Sequence, residues 1–186
     1  MNHSYTAFQN SKRVAKGPLE EIALKLKKRY EDDQTATFLV FDDQSGRTLE
    51  FLDFSGTNEQ VLQRIQVYLP REESKSSGPG RPKLGVVARE VSLLPRHWEW
   101  LAQQPGGASV TLRKLVEEKA KGGSSPREAI DATYRFMSVA AGDLPGYEEA
   151  LRALYKKDEK KFGEFTKDWP KDIREHANHM AAKAFG

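Results

Sequence analysis

Between Pro70 and Lys83 the sequence loses all hydrophobic periodicity, and Ser, Gly and Pro take over. Such a stretch offers no apolar face to bury and reads as a flexible linker. Periodic sequence lies only on either side of it. The expected organisation is therefore an α+β domain over 1–70, a linker over 71–84, a short segment over 85–123 and a helical domain over 124–186. The chain has 186 residues, enough for a few small domains of this kind.

The first piece is expected to follow the order ββαββα. Tyr5 to Val14 has strand character with a polar turn at Asn10 and Ser11. Pro18 suits a first helical turn, and Leu19, Ile22, Ala23 and Leu26 recur at helical spacing. Glu20 and Glu21 open that helix and Lys25, Lys27, Lys28 and Arg29 close it, an order that complements the helix dipole. Thr35 to Phe41 and Arg47 to Phe54 flank the turn Asp42-Asp43-Gln44-Ser45-Gly46 and predict a hairpin. Val61, Leu62, Ile65 and Leu69 form the stripe of a last helix capped by Thr57 or Asn58.

The last piece reads as a helical bundle. Ser125 is an N-cap, Pro126 stands at the first helical position and Glu128 completes a capping box. Ile130, Tyr134, Met137 and Ala141 are the expected buried face. After the break at Gly142 to Gly146, further helices carry Leu151, Leu154 and Tyr155, then Phe162, Phe165 and Trp169, then Ile173, Ala177 and Met180.

Charge is distributed unevenly. Residues 78–124 hold 8 Lys/Arg against 4 Asp/Glu, residues 1–70 hold 9 against 10, and residues 125–186 hold 11 of each. The positive excess therefore falls on the central segment, as expected of a protein with a polyanionic partner. Absence of cysteine removes thiolate metal sites, disulfides and thiol nucleophiles. No apolar run reaches the roughly 18 residues of a membrane span, and Met1 to Asn10 lacks the pattern of a secretory signal. The expectation is a cytoplasmic protein without a membrane partner.

Nucleophile elbows, Walker loops, dinucleotide fingerprints and zinc spacings are absent from the sequence. His176 and His179 are three apart on a helix and could face one metal, but a polar terminal helix predicts surface histidines instead. The expectation is a binding protein rather than an enzyme, with no cofactor, no catalytic residue and no metal.

The central segment carries the strongest pattern. Val86 to Leu94 predicts a strand, Pro95 ends it and starts a helix, and Trp98, Leu101 and Ala102 give that helix an apolar face. Pro105-Gly106-Gly107 stops it. Ser109 is the expected N-cap of a second helix whose inner side is Leu112, Leu115, Val116 and Ala120, ended by Gly122 and Gly123. This strand-helix-helix order resembles the ribbon-helix-helix family of bacterial DNA-binding proteins. The resemblance implies a homodimeric transcriptional regulator or nucleoid-associated protein whose paired strands enter the major groove of double-stranded DNA. Ser109 and Thr111 would offer a helix N-terminus to phosphate, with Arg113 and Lys114 behind them. Arg81, Lys83 and Arg96 would add phosphate attraction. Gly80-Arg81-Pro82-Lys83 also resembles the core of an AT-hook. In one strand register Arg89 faces the bases, and in the other Ser92 does. A helix-turn-helix with 109–121 as recognition helix, and a dimerisation or protein-interaction module without nucleic acid, remain open alternatives.

The runs from Gly80 to Leu101 and Gln104 to Val116, with Arg135 to Met137 and Ala141 to Ala150, are similar to a bacterial family carried as domain of unknown function 2239. That resemblance covers nearly the full chain and implies a bacterial cytosolic protein, with no activity attached.

Overall fold

A computed structural model of the chain describes residues 3–50, 52–69, 89–121 and 125–186. The chain divides into two compact units, one made of residues 1–69 and 124–186, the other of residues 70–123. The mixed α+β class expected from sequence holds.

The first unit is built on a three-stranded antiparallel sheet. β1 (Tyr5–Gln9) and β2 (Lys12–Gly17) form a hairpin, turning through Asn10 at φ 54°. β3 (Leu39–Asp42) pairs with the other edge of β1, giving the order β2-β1-β3. The expected fourth strand over Arg47–Phe54 is absent among the described residues. Only Thr48 bridges back to Phe41, followed by a bond from Leu49 N–H to Val40 O of 2.8 Å. Asp53 instead accepts from Ser55 N–H, and its carboxylate pairs with Arg64 at 3.0 Å. The end of that stretch is thereby committed to a turn leading into the next helix.

Successive side chains of a strand point to opposite faces, and here both faces are covered. Tyr5, Ala7, Ala15 and Val40 pack with α1 (Leu19–Asp32) and α2 (Asn58–Ile65), through Leu19, Ile22, Leu26, Val61 and Ile65. Phe8 and Phe41 point the other way and share a core with α5 (Pro126–Ala140) and α8 (Lys171–Phe185). Phe41 and Phe136 meet edge to face, with ring centroids 4.9 Å apart. The sequence suggests two domains here, 1–70 and 124–186. In the structure residues 1–69 and 124–186 form one compact unit, because α5 and α8 cover the face of the sheet that α1 and α2 leave bare.

The helices α6 (Tyr147–Tyr155) and α7 (Glu159–Thr166) complete the helical layer with Leu154 and Phe162, and Trp169 joins the same core from the turn after α7. Trp169 Nε1–H donates to Pro145 O at 2.8 Å and satisfies its polar edge. α5 starts as expected. The Ser125 hydroxyl accepts from Glu128 N–H, the Glu128 carboxylate accepts from Ser125 N–H, and Pro126 stands at the first position. Tyr134 departs from expectation. It is exposed rather than buried, whereas Ile130, Met137 and Ala141 are buried.

The second unit has α3 (Pro95–Ala102) and α4 (Gly107–Lys121). Leu94 is the N-cap of α3 in extended conformation, with Pro95 at the first position. α4 begins two residues before the expected cap. Gly106 (φ 90°) and Gly107 (φ 72°) take left-handed conformations that bring the chain round at once. Gly107 N–H then closes onto Gln104 O at 2.9 Å. Ser109 is therefore inside the first turn.

Candidate functional site

The expected strand over 86–94 begins at residues outside the described set. Over Arg89–Leu94 the backbone forms no strand and no bridge. A ladder needs a second strand, and among the described residues this stretch has none beside it. The helix pair that follows is as expected in number and order, joined by the tight turn at Gly106.

The apolar side chains meet a different fate from the one their spacing suggests. Leu101 is buried, at 2% exposure. Trp98, Leu115 and Val116, expected to line the inside of the pair, are exposed, as are Val91, Leu94 and Trp100. Val116 reaches 65% exposure and Val91 57%. A pair of helices this short has too little interior to hide so many large side chains.

Arg81 and Lys83, with the AT-hook-like run, lie outside the described residues. Arg89 and Ser92 are exposed on the stretch before α3, and Arg96 is exposed in its first turn. Ser109 and Arg113 are brought together on α4, where Arg113 Nε–H donates to Ser109 O at 3.2 Å. Thr111 lies on the same helix and is half-buried. Ser109 lies inside the helix, so the first N–H groups of α4 belong to the turn that starts at Gly107. Arg89, Arg96, Arg113 and Lys114 have no ion-pair partner among the described residues. All are exposed, so their charge is available to solvent and to an approaching anion. The exposed acids Glu90, Glu99, Glu117 and Glu118 stand on the same short unit and dilute its positive field.

Of the histidine pair of α8, His179 is exposed as expected. His176 is buried and faces Asp43, contrary to the surface position expected, and no group of His, Asp and Glu with metal-ligating geometry occurs among the described residues. Asp43 itself accepts from the Ser4 hydroxyl at 2.9 Å and lies 3.9 Å from Lys16 Nζ. Its neighbour Asp42 caps the turn as foreseen, accepting from Gln44 N–H at 2.8 Å and the Ser45 hydroxyl at 2.9 Å. Burial opposes the Asp42 charge, but these bonds together with His3 hold its pKa below the ordinary carboxylate value.

What sequence reading missed is the exposure of Trp98, Leu115 and Val116. Helical spacing marks a face as apolar but does not say what covers it. A helix pair flanked by a linker, with no further periodic segment to pack on, is the signal that was present.

No helix among the described residues is long and apolar enough to cross a membrane. A family model described as "Uncharacterized protein conserved in bacteria (DUF2239)" matches residues 4–181. No curated protein and no solved structure matches the chain.

Proposed function

We propose that this chain, which belongs to the bacterial DUF2239 family, is a homodimeric DNA-binding protein that pairs through residues 89–121. The observation that carries the reading is the combination in the second unit. The stretch Arg89–Leu94, which has no strand partner among the described residues, leads into two helices with large apolar side chains exposed in the single chain. Pairing with a second copy would give Arg89–Leu94 its missing ladder and cover Val91, Leu94, Trp98, Leu115 and Val116 at once. Arg89, Arg96 and Arg113, exposed and without an ion-pair partner among the described residues, support the nucleic-acid part. A regulatory role in the bacterial cytoplasm follows as part of the same proposal.

A dimerisation module without nucleic acid is the second reading, favoured by the exposed glutamates of the same unit. Sedimentation and gel shift on the purified chain separate the two. The first reading expects a dimer at about 10 μM that retains duplex DNA, with affinity falling steeply between about 50 and 200 mM salt. Replacing Arg89, Arg96 and Arg113 by Ala should remove retention and leave the dimer. Val116→Glu should break the dimer. A dimer indifferent to DNA at low salt selects the second reading, and a monomer at that concentration ends both.

A further inference from the structure

The first unit holds a cleft that the proposed function does not use. It is about 390 Å³ in volume, within the usual range for small-ligand sites. One wall is the segment after β3, the other is the outward face of α5. We propose that this cleft, lined by Arg47, Thr48, Tyr134, Arg135, Ser138 and Val139, binds a small organic monoanion with an aromatic body, of the aryl-carboxylate class.

Both walls are fixed without a ligand. Gly46 runs at φ 69° so close to α5 that a Cβ there would lie 1.9 Å from Ala132 O. Arg135 Nη1–H donates to Ser45 O at 2.8 Å across the same seam. Thr48 is bridged to Phe41, and Asp42 ties down the preceding turn. α5 is held from behind by the buried Phe136 and Met137. A cleft whose walls are already ordered loses little entropy when a ligand enters.

The lining then selects the ligand. Arg47 and Arg135 have no acidic partner among the described residues. Guanidinium carries five donors in a planar fork suited to a carboxylate, and Arg135 spends only one hydrogen bond on Ser45 O. Tyr134 and Val139 are exposed large apolar groups beside these cations, and a ring laid against them would be drawn out of water. Ser138 Oγ, bonded to Tyr134 O at 2.8 Å, adds a polar edge. Glu50 also lines the cleft. Its charge disfavours a dianion, so the balance of two arginines and one glutamate suits a single negative charge. The proposal is independent of DNA binding or pairing by the other unit.

Amide chemical shifts of the full chain, titrated separately with naphthoate, neutral naphthamide and inorganic phosphate, test it. Naphthoate is expected to give saturating shifts confined to residues 46–50 and 134–139. Naphthamide should bind at least about tenfold more weakly, since it lacks the charge-assisted bonds. Phosphate should bind there more weakly than naphthoate. Arg47→Gln, at an exposed position, should weaken naphthoate about tenfold, and Val139→Glu should abolish its binding while leaving the remaining amide spectrum in place. The proposal is overturned by naphthoate shifts that do not saturate by about 20 mM or scatter over the surface. It is equally overturned by naphthamide binding as well as naphthoate, by tighter phosphate binding at the same residues, or by unaltered affinity in Arg47→Gln.

Discussion

His176 Nε2 lies 3.6 Å from Asp43 Oδ1, so α8 and the turn after β3 meet through an imidazole and a carboxylate. The imidazole is 1% exposed and packs edge-on against Phe8 and Phe136. Neither ring nitrogen has a hydrogen-bond partner among the described residues. Burial lowers the His176 pKa from its ordinary 6.5 to about 4, against the opposing pull of the Asp43 charge, while Lys16, His179 and Arg13 reinforce the lowering.

This relationship sets a pH dependence. Between those two values the unfolded chain takes up the proton more readily than the folded one. The contribution of the neutral ring is complete above pH 6.5 and is lost as the pH falls towards about 4. A displacement of that size corresponds to about 3 kcal/mol. Urea unfolding at stepped pH should show the midpoint falling through this window, and His176→Leu should flatten the fall. An equal slope in the variant would assign the acid limit to other groups.

The shared core predicts that residues 1–70 do not stand alone. Without α5 and α8, Phe8 and Phe41 would be bared on one face of the sheet. The fragment should lack the near-ultraviolet dichroism of packed aromatics and unfold without a cooperative transition. In the full chain, Phe41→Ala should cost about 3–5 kcal/mol in chemical denaturation. A sharp transition in the fragment would contradict a core common to both ends of the chain.

Two glycines should respond in opposite directions. Gly46→Ala meets Ala132 O at 1.9 Å in a left-handed conformation, so either the turn or α5 must move. A loss of about 2–3 kcal/mol is expected. Gly163 lies inside α7, where a Cβ would meet nothing within 4 Å. Gly163→Ala should raise stability by about 0.5–1 kcal/mol through helix propensity. Thermal unfolding of the two variants decides both, and equal effects would mean that close approach is not what holds Gly46.

Local chemistry was legible in the sequence. The Ser125, Pro126 and Glu128 capping box, the Asp42 turn and the Pro95 start each depend on residues within one turn of each other. What failed depended on distant partners. His176 stands among Arg174, Glu175 and His179, and nothing on its own helix announces that Phe8, more than 160 residues earlier, roofs it. Tyr5-Thr6-Ala7-Phe8 is buried on both faces, so its lack of polar alternation was the one hint that a second helical layer had to cover the sheet. Among the candidate residues, Arg89, Arg96 and Arg113 are exposed. Ser109 was misplaced because two glycines in left-handed conformations began the helix earlier than a hydroxyl cap would have done.

The burial of β1 by helices from the far end of the chain sets an order of events during synthesis. Tyr5–Gln9 leaves the ribosome well before the helices that cover it, and the rings of Phe8 and Phe41 find their cover only when Pro126–Ala140 and Lys171–Phe185 have emerged. The nascent sheet must therefore wait, half dressed, while the whole of 70–123 is made. During that interval its bare aromatic face is open to other nascent chains and to chaperones.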